Sequence, residues 1–372
     1  MTYITIVGIQ SKHKATWSIV QLDKTKVKKK LTIMALNPKL NVYIVTLNPK
    51  AKDTNPTYRD LFKAKYMVDA QISDSDLQER FFQDFLNSVG KSDYRKDTKS
   101  KKVIGVSEYN AENQSSSLNI LKAHDVVEGI IDGGQYGVLR AYADVDNKNE
   151  KTALGTNKAV LDKFYICLCT PLNSAYGFLF IQSYTESSIQ DPVKNFITDL
   201  LKWEDEFYAV RIEPFVPQKF VDKFKRDAKI RMFTYRSKIG VSQIMRENEL
   251  LLKGQAFDIE IKITPVEDQF FPGTDAVEAL SGELAAKQVD GVVLGDFEQQ
   301  SVYIQDGQDH KAHYDISKEI KSIRPTIYLK DEGVSVDEDT GQPDFAQIKN
   351  FTLNLLEEVK QEYNGYEEIE EL

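Results

Sequence analysis

Cysteine is nearly absent from this chain of 372 residues, with Cys167 and Cys169 the only two. Two residues apart on a strand, they share a face and cannot readily bond to each other, and no second pair supplies the partners of a zinc or redox site. A disulfide-stapled secreted scaffold is therefore excluded, and the thiols read as buried core groups of a reduced, cytoplasmic protein. Long hydrophobic runs are missing as well: no stretch of about 18 apolar residues occurs, which excludes a spanning helix and a membrane partner. Residues Met1–Ile9 lack the basic start, apolar stretch and small-residue cleavage site of a secretory signal. Phosphate-cradling glycine loops of the Walker or dinucleotide type are not present, nor is a Gly-x-Ser-x-Gly elbow. Histidine is scarce too. His310 and His313 stand beside Asp306, Asp309 and Asp315, but that spacing in a strand or loop sends the rings to opposite sides, so no metal site and no cofactor is expected.

What is there suits a folded protein of two domains: 41% hydrophobic and 28% charged residues. The net charge of −9 conceals a marked polarity along the chain. Residues 1–52 hold ten lysines against Asp23, whereas residues 331–372 hold thirteen acids against Lys349 and Lys360. Two internal stretches are basic, 91–102 and 217–238, the second with eight basic groups against Asp222 and Asp227. Such asymmetry points either to a polyanionic partner or to a solvated surface on which the two signs attract each other.

The hydrophobic pattern predicts strands in clusters. Tyr3–Ile9, Thr16–Leu22 and Val42–Leu47 lead, and Phe164–Thr170 and Phe178–Tyr184 follow further on. Asp132-Gly133-Gly134 reads as the tight turn of a hairpin, because glycine tolerates positive φ. Helices are predicted where apolar residues recur every three or four positions: Leu77 to Val89 capped by Ser75, Val193 to Leu201 capped by Asp191, and Phe345 to Val359 capped by Asp344. A short helix is expected over Pro217–Asp227, strands over Ile230–Tyr235 and Phe257–Ile263, and a hairpin from Val292–Phe297 with Ser301–Gln305. The fold class this implies is α+β, mainly antiparallel sheets with flanking helices. The polar loop 144–156 suggests an N-terminal domain over 1–150, a C-terminal domain over 151–360 and an acidic tail over 361–372.

Catalytic constellations are sparse. Glu260-Ile261-Lys262 matches the acid-x-lysine element of metal-dependent nucleases, with Asp227 or Asp258 as a second acid, but an alternating half-exposed strand accounts for it equally well. The reading is of a non-enzymatic protein, with the nuclease and a partner-binding structural module as alternatives.

Two stretches carry a resemblance. One is Gly129-Ile130-Ile131-Asp132-Gly133-Gly134-Gln135-Tyr136-Gly137. The other runs from Gly177-Phe178-Leu179-Phe180-Ile181-Gln182 through the helix at 191–203 to Glu213-Pro214-Phe215-Val216-Pro217 and Lys229-Ile230-Arg231-Met232. Over residues 125–240 the chain resembles bacterial proteins carried on mobile elements and is distantly similar to RexA-like phage-exclusion proteins. The resemblance implies a homo-oligomeric, DNA-binding component of anti-phage defence and supplies no catalytic residue. DNA binding would fall on Lys219, Lys223, Lys225, Arg226, Lys229 and Arg231, and a protein encoded nearby is the other candidate partner.

Overall fold

The computed structural model describes residues 37–50, 56–68, 71–112, 115–144, 146–147, 149–203, 209–227, 229–240, 256–265, 277–289, 292–305, 311–315 and 324–370. The strands expected at Tyr3–Ile9 and Thr16–Leu22 lie outside them. The fold is α+β with antiparallel sheets, as the strand clustering predicts. Among the described residues, tertiary contacts gather into two compact units: residues 37–216 with 326–370, and residues 217–325. The second unit is thus inserted into the first. The loop 144–156, expected to separate domains, lies inside the larger unit.

The larger unit is built on a sheet whose main order is β8-β1-β7-β6-β5-β3-β2. Its strands are β1 (Lys39–Thr46), β2 (Arg95–Asp97), β3 (Lys102–Val106), β4 (Leu118–Leu121), β5 (Val126–Gln135), β6 (Val160–Cys169), β7 (Tyr176–Ser183) and β8 (Arg211–Phe215). β4 adds to β5, and a short strand at Ile327–Tyr328 pairs with the start of β1, returning the chain to this sheet after the inserted unit.

One face of the sheet is covered by α1 (Tyr58–Tyr66), α2 (Asp74–Gly90) and α3 (Gln190–Leu201). The predicted stripe of α2 is borne out: Leu77, Phe81, Phe82, Phe85, Leu86 and Val89 are all buried. Phe81 stacks on Phe62 of α1 and Phe85 meets Phe196 of α3 edge-on, with centroids 4.4 and 4.9 Å apart, the offsets that ring quadrupoles favour. The N-cap is Ser73 rather than Ser75, its hydroxyl accepting from the Asp76 amide. α3 begins one residue before Asp191 and has no side-chain cap, while Pro192 sits in its first turn, where a missing N–H costs nothing.

The opposite face is covered by the closing helix Phe345–Glu370, which lies across β5 and β6. Asp344 caps it as expected, accepting from the Ala346 and Gln347 amides. Gln347 turns away to accept from Ser335. Ile348, Leu355, Leu356 and Val359 are buried, and Tyr363 packs edge-on against Tyr176 and Phe178, so the helix carries on past the point where an acidic tail was expected to begin. Beneath it Glu128 of β5, only 2% exposed, holds the Lys349 ammonium at 2.6 Å. Cys167 and Cys169 share this face and are buried free thiols; burial pushes Cys169 up to about 12 and Cys167 well above its ordinary value.

The expected turn at Gly133-Gly134 does not occur. β5 runs straight through both, paired residue by residue with β6 from Val126↔Cys169 to Gln135↔Val160, and neither glycine has positive φ. The glycines answer to crowding instead. A Cβ on Gly134 would overlap the carbonyl oxygen of Val160, and one on Gly133 would strike the Ile189 side chain.

The smaller unit contains α4 (Gln218–Asp227), β9 (Lys229–Gly240), β10 (Ala256–Ile263), α5 (Val277–Ala285), β11 (Gln299–Gln305) and β12 (Lys311–Asp315). The strands form one antiparallel sheet in the order β10-β9-β11-β12. Phe224, Ile230, Phe233, Tyr235, Ile263, Phe297, Val302 and Ile304 make its core. Val292–Val293 pairs with Gln288–Val289, so the hairpin expected between 292–297 and 301–305 is not formed. Among the described residues no helix is long and apolar enough to cross a membrane.

Candidate nucleic-acid interface

α4 and the first residues of β9 place most of the sequence-derived basic residues on one helix-to-strand junction. Phe220 and Phe224, four apart, bury one side of α4, and Phe224 joins the core of the smaller unit. Lys219 and Lys223 each precede a buried phenylalanine by one position, and Arg226 follows on the same stripe at the next turn. Lys219 and Arg226 are exposed, while Lys223 is half-buried. The Lys219 ammonium stands 5.0 Å from the Phe220 ring centroid, over its negative face. Gln218 donates to Asp222 at 2.7 Å, which occupies one of the two acids in this stretch.

Lys229 opens β9 opposite Gln305 and is exposed. Ile230 points inward against Ile304, and the ladder resumes with Met232 opposite Tyr303, leaving Arg231 as the extra residue of a bulge. A bulge re-aims the side chain it carries. Here it brings the Arg231 Nε to 2.7 Å from Gln305 Oε1, which fixes the guanidinium at the strand end next to α4. The side chains of Lys225 and Asp227 lie outside the described residues.

The other basic stretch lies in the larger unit. In residues 91–102, Arg95 is bonded to Asp199 and lies over the Phe196 ring. Lys91 sits over Tyr109, and Lys102 donates to the Ser188 carbonyl at 2.6 Å. Half of its charge is thus spent tying β2 and β3 to their neighbours.

Glu260 and Lys262 fall on the outward face of β10. The two carboxylate oxygens of Glu260 are held by Arg236 at 2.7 Å and Lys262 at 3.0 Å. Hydrogen bonding from Lys262, then from Arg236, outweighs desolvation and lowers the Glu260 carboxyl below its ordinary range. A metal would have to displace two cations to reach it. Asp258 precedes it on the strand, with its side chain outside the described residues, as is that of His313; His310 lies wholly outside them. Among the described residues no group of three His, Cys, Asp or Glu side chains could hold a metal ion. Because Glu260 is one-third exposed, Glu260→Gln is expected to cost at most about 1 kcal/mol in a urea titration at pH 7. The sign follows from the lowered pKa: this contribution is present above the ordinary carboxylate pKa and disappears as pH falls through the lowered one. A loss near 3 kcal/mol would show that the triad is structural.

No protein-family model, curated protein or solved structure matches the chain.

Proposed function

We propose that the protein is a non-enzymatic nucleic-acid-binding component of bacterial anti-phage defence, engaging DNA through α4 and the start of β9. The observation that carries the binding is the gathering of Lys219, Lys223, Arg226, Lys229 and Arg231 on one junction whose apolar side is committed to the core. Phosphate is attracted to such a cluster through release of condensed counterions, without reading of bases. The negative net charge does not oppose this, because at physiological salt charges more than about 8 Å apart are largely screened and the local field decides. The setting in phage defence rests on the resemblance of residues 125–240 to RexA-like proteins.

The test is titration of labelled single- and double-stranded DNA by fluorescence anisotropy at two salt concentrations, with and without Mg²⁺. Five phosphate contacts give a slope of log K against log salt near −4.5, so affinity should fall about 500-fold between 50 and 200 mM salt. Reversing Lys219, Lys223 and Arg226 to Glu should reduce the slope by about 3 and weaken all sequences alike. Absence of binding at the lower salt would refute the reading. Mg²⁺-dependent cleavage abolished by Glu260→Ala would replace it with the nuclease.

A further inference from the structure

The end of β5 and the start of β6 continue into a projecting arm. Residues 136–159 leave the sheet and form a hairpin in which Arg140–Ala143 pairs with Lys151–Leu154. Among the described residues the arm is tied at its root, where the Tyr136 amide donates to the Lys101 carbonyl and Arg140 donates to the Gln135 side chain, while the Gly137 amide donates to the Thr156 carbonyl across the arm. Along the hairpin Arg140, Ala141, Tyr142, Ala143, Lys151, Thr152 and Ala153 are all exposed, and nothing among the described residues covers either face. An isolated two-stranded hairpin is at best marginally stable in water and gains stability when a third strand or an apolar surface is added.

The arm also concentrates apolar surface. Of the seven large hydrophobic side chains exposed among the described residues, five lie on it or at its root: Val138, Leu139, Tyr142, Val160 and Leu161, with Leu139 75% and Tyr142 59% exposed. Charge is sorted along its length. Lys101, Arg140 and Lys158 lie toward the root and are exposed, whereas the tip, 144–150, carries Asp144, Asp146 and Glu150 against Lys148, with Lys151 flanking it. A phosphate backbone would be repelled by that tip. A copy of the same arm running antiparallel would not: its acidic tip would meet the basic root, twice over, about a two-fold axis. That is the self-complementarity an isologous interface requires.

We propose that this arm is a docking surface for a second copy of the chain, the two arms lying antiparallel with Tyr142 at the centre, Leu139 nearer the root and each acidic tip against the partner's basic root. Among the described residues neither edge of the hairpin has a further strand, so strand addition contributes alongside the apolar contact. The inference does not rest on the DNA-binding reading.

Sedimentation velocity of the full chain over a concentration series tests it. A concentration-dependent dimer is expected, and the double variant Leu139→Asp with Tyr142→Asp should raise its dissociation constant about 30-fold or more. Both positions are exposed, so the far-UV circular dichroism of the chain should not change. Arg140→Glu with Lys158→Glu should also weaken the dimer, and adding Asp144→Lys with Asp146→Lys should restore it. A chain that stays monomeric at about 100 μM, or a dimer indifferent to the Leu139 and Tyr142 changes, overturns the proposal. Failure of the charge swap to restore the dimer overturns the antiparallel arrangement.

Discussion

Gly134→Ala is expected to destabilise the larger unit by about 3 kcal/mol, read as a lower urea midpoint at unchanged slope. The cause is steric and independent of φ. A Cβ at this position would overlap the Val160 carbonyl oxygen and lie 3.1 Å from the Leu161 Cα, and both are backbone atoms of the neighbouring strand. Backbone cannot rotate aside, so β5 and β6 would have to separate where ten residue pairs hold them in register. Gly133→Ala should cost clearly less, since the nearest obstacle there is the Ile189 methyl, which can change rotamer. Gly282→Ala, in the interior of α5 with nothing within 4 Å of the added carbon, should stabilise by about 0.5–1 kcal/mol. Equal midpoints for Gly134→Ala and the parent chain would show that the sheet yields at this point.

Lys349→Ala is the second large effect, about 3 kcal/mol. Glu128 is 2% exposed, whereas the Lys349 side chain is 36% exposed, so the partners of this ion pair are not equivalent. Removing the lysine strands a carboxylate that cannot reach water, and that desolvation is unfavourable by several kcal/mol in a buried site. Removing Glu128 frees an ammonium that can turn to solvent. Glu128→Ala should therefore cost less than Lys349→Ala, and Glu128→Gln combined with Lys349→Met should recover most of the loss. The surroundings agree in sign: burial, with Glu128 adding to it, raises the Tyr165 hydroxyl above its ordinary pKa. Thiol labelling gives an independent readout, because Cys167 and Cys169 lie on the same covered face and should react quickly only when the closing helix has lifted. If the two single variants cost the same, the asymmetric burial does not govern the pair.

These positions also mark how far the residues could be read alone. The stripes of α2, α3 and the closing helix follow a 3.6-residue period that nothing outside the helix alters, and their faces are buried as expected except at Phe345 and Phe351, which are half-buried. Phe220 and Phe224 mark α4 by the same spacing, whereas the basic residues beside them stand out in the sequence only as a run of charge over 217–238. Other features depend on what lies across from a residue. Gly133 and Gly134 looked like a turn because glycine permits one, but strands β3 and β6 on either side give them a different purpose. Gln299–Gln305 pairs with Lys229–Gly240, some seventy positions earlier, and no local pattern announces that. The membership of residues 326–370 in the larger unit is of the same kind: Ile327–Tyr328 returns to β1, nearly three hundred residues back. The apolar residues of the arm were scattered among polar ones, and only the hairpin brought them together.

The insertion of residues 217–325 between two parts of one sheet sets an order in time. The strands from β1 to β8 leave the ribosome first, yet the helix that shelters Glu128, Cys167 and Cys169 is made only after the whole inserted unit. At about 5–20 residues per second, that interval is on the order of ten seconds. Throughout it, an apolar sheet face with a carboxylate at its centre stands open. A message cut short anywhere before Phe345 would release a chain held permanently in that state, and aggregation rather than partial activity is its expected fate.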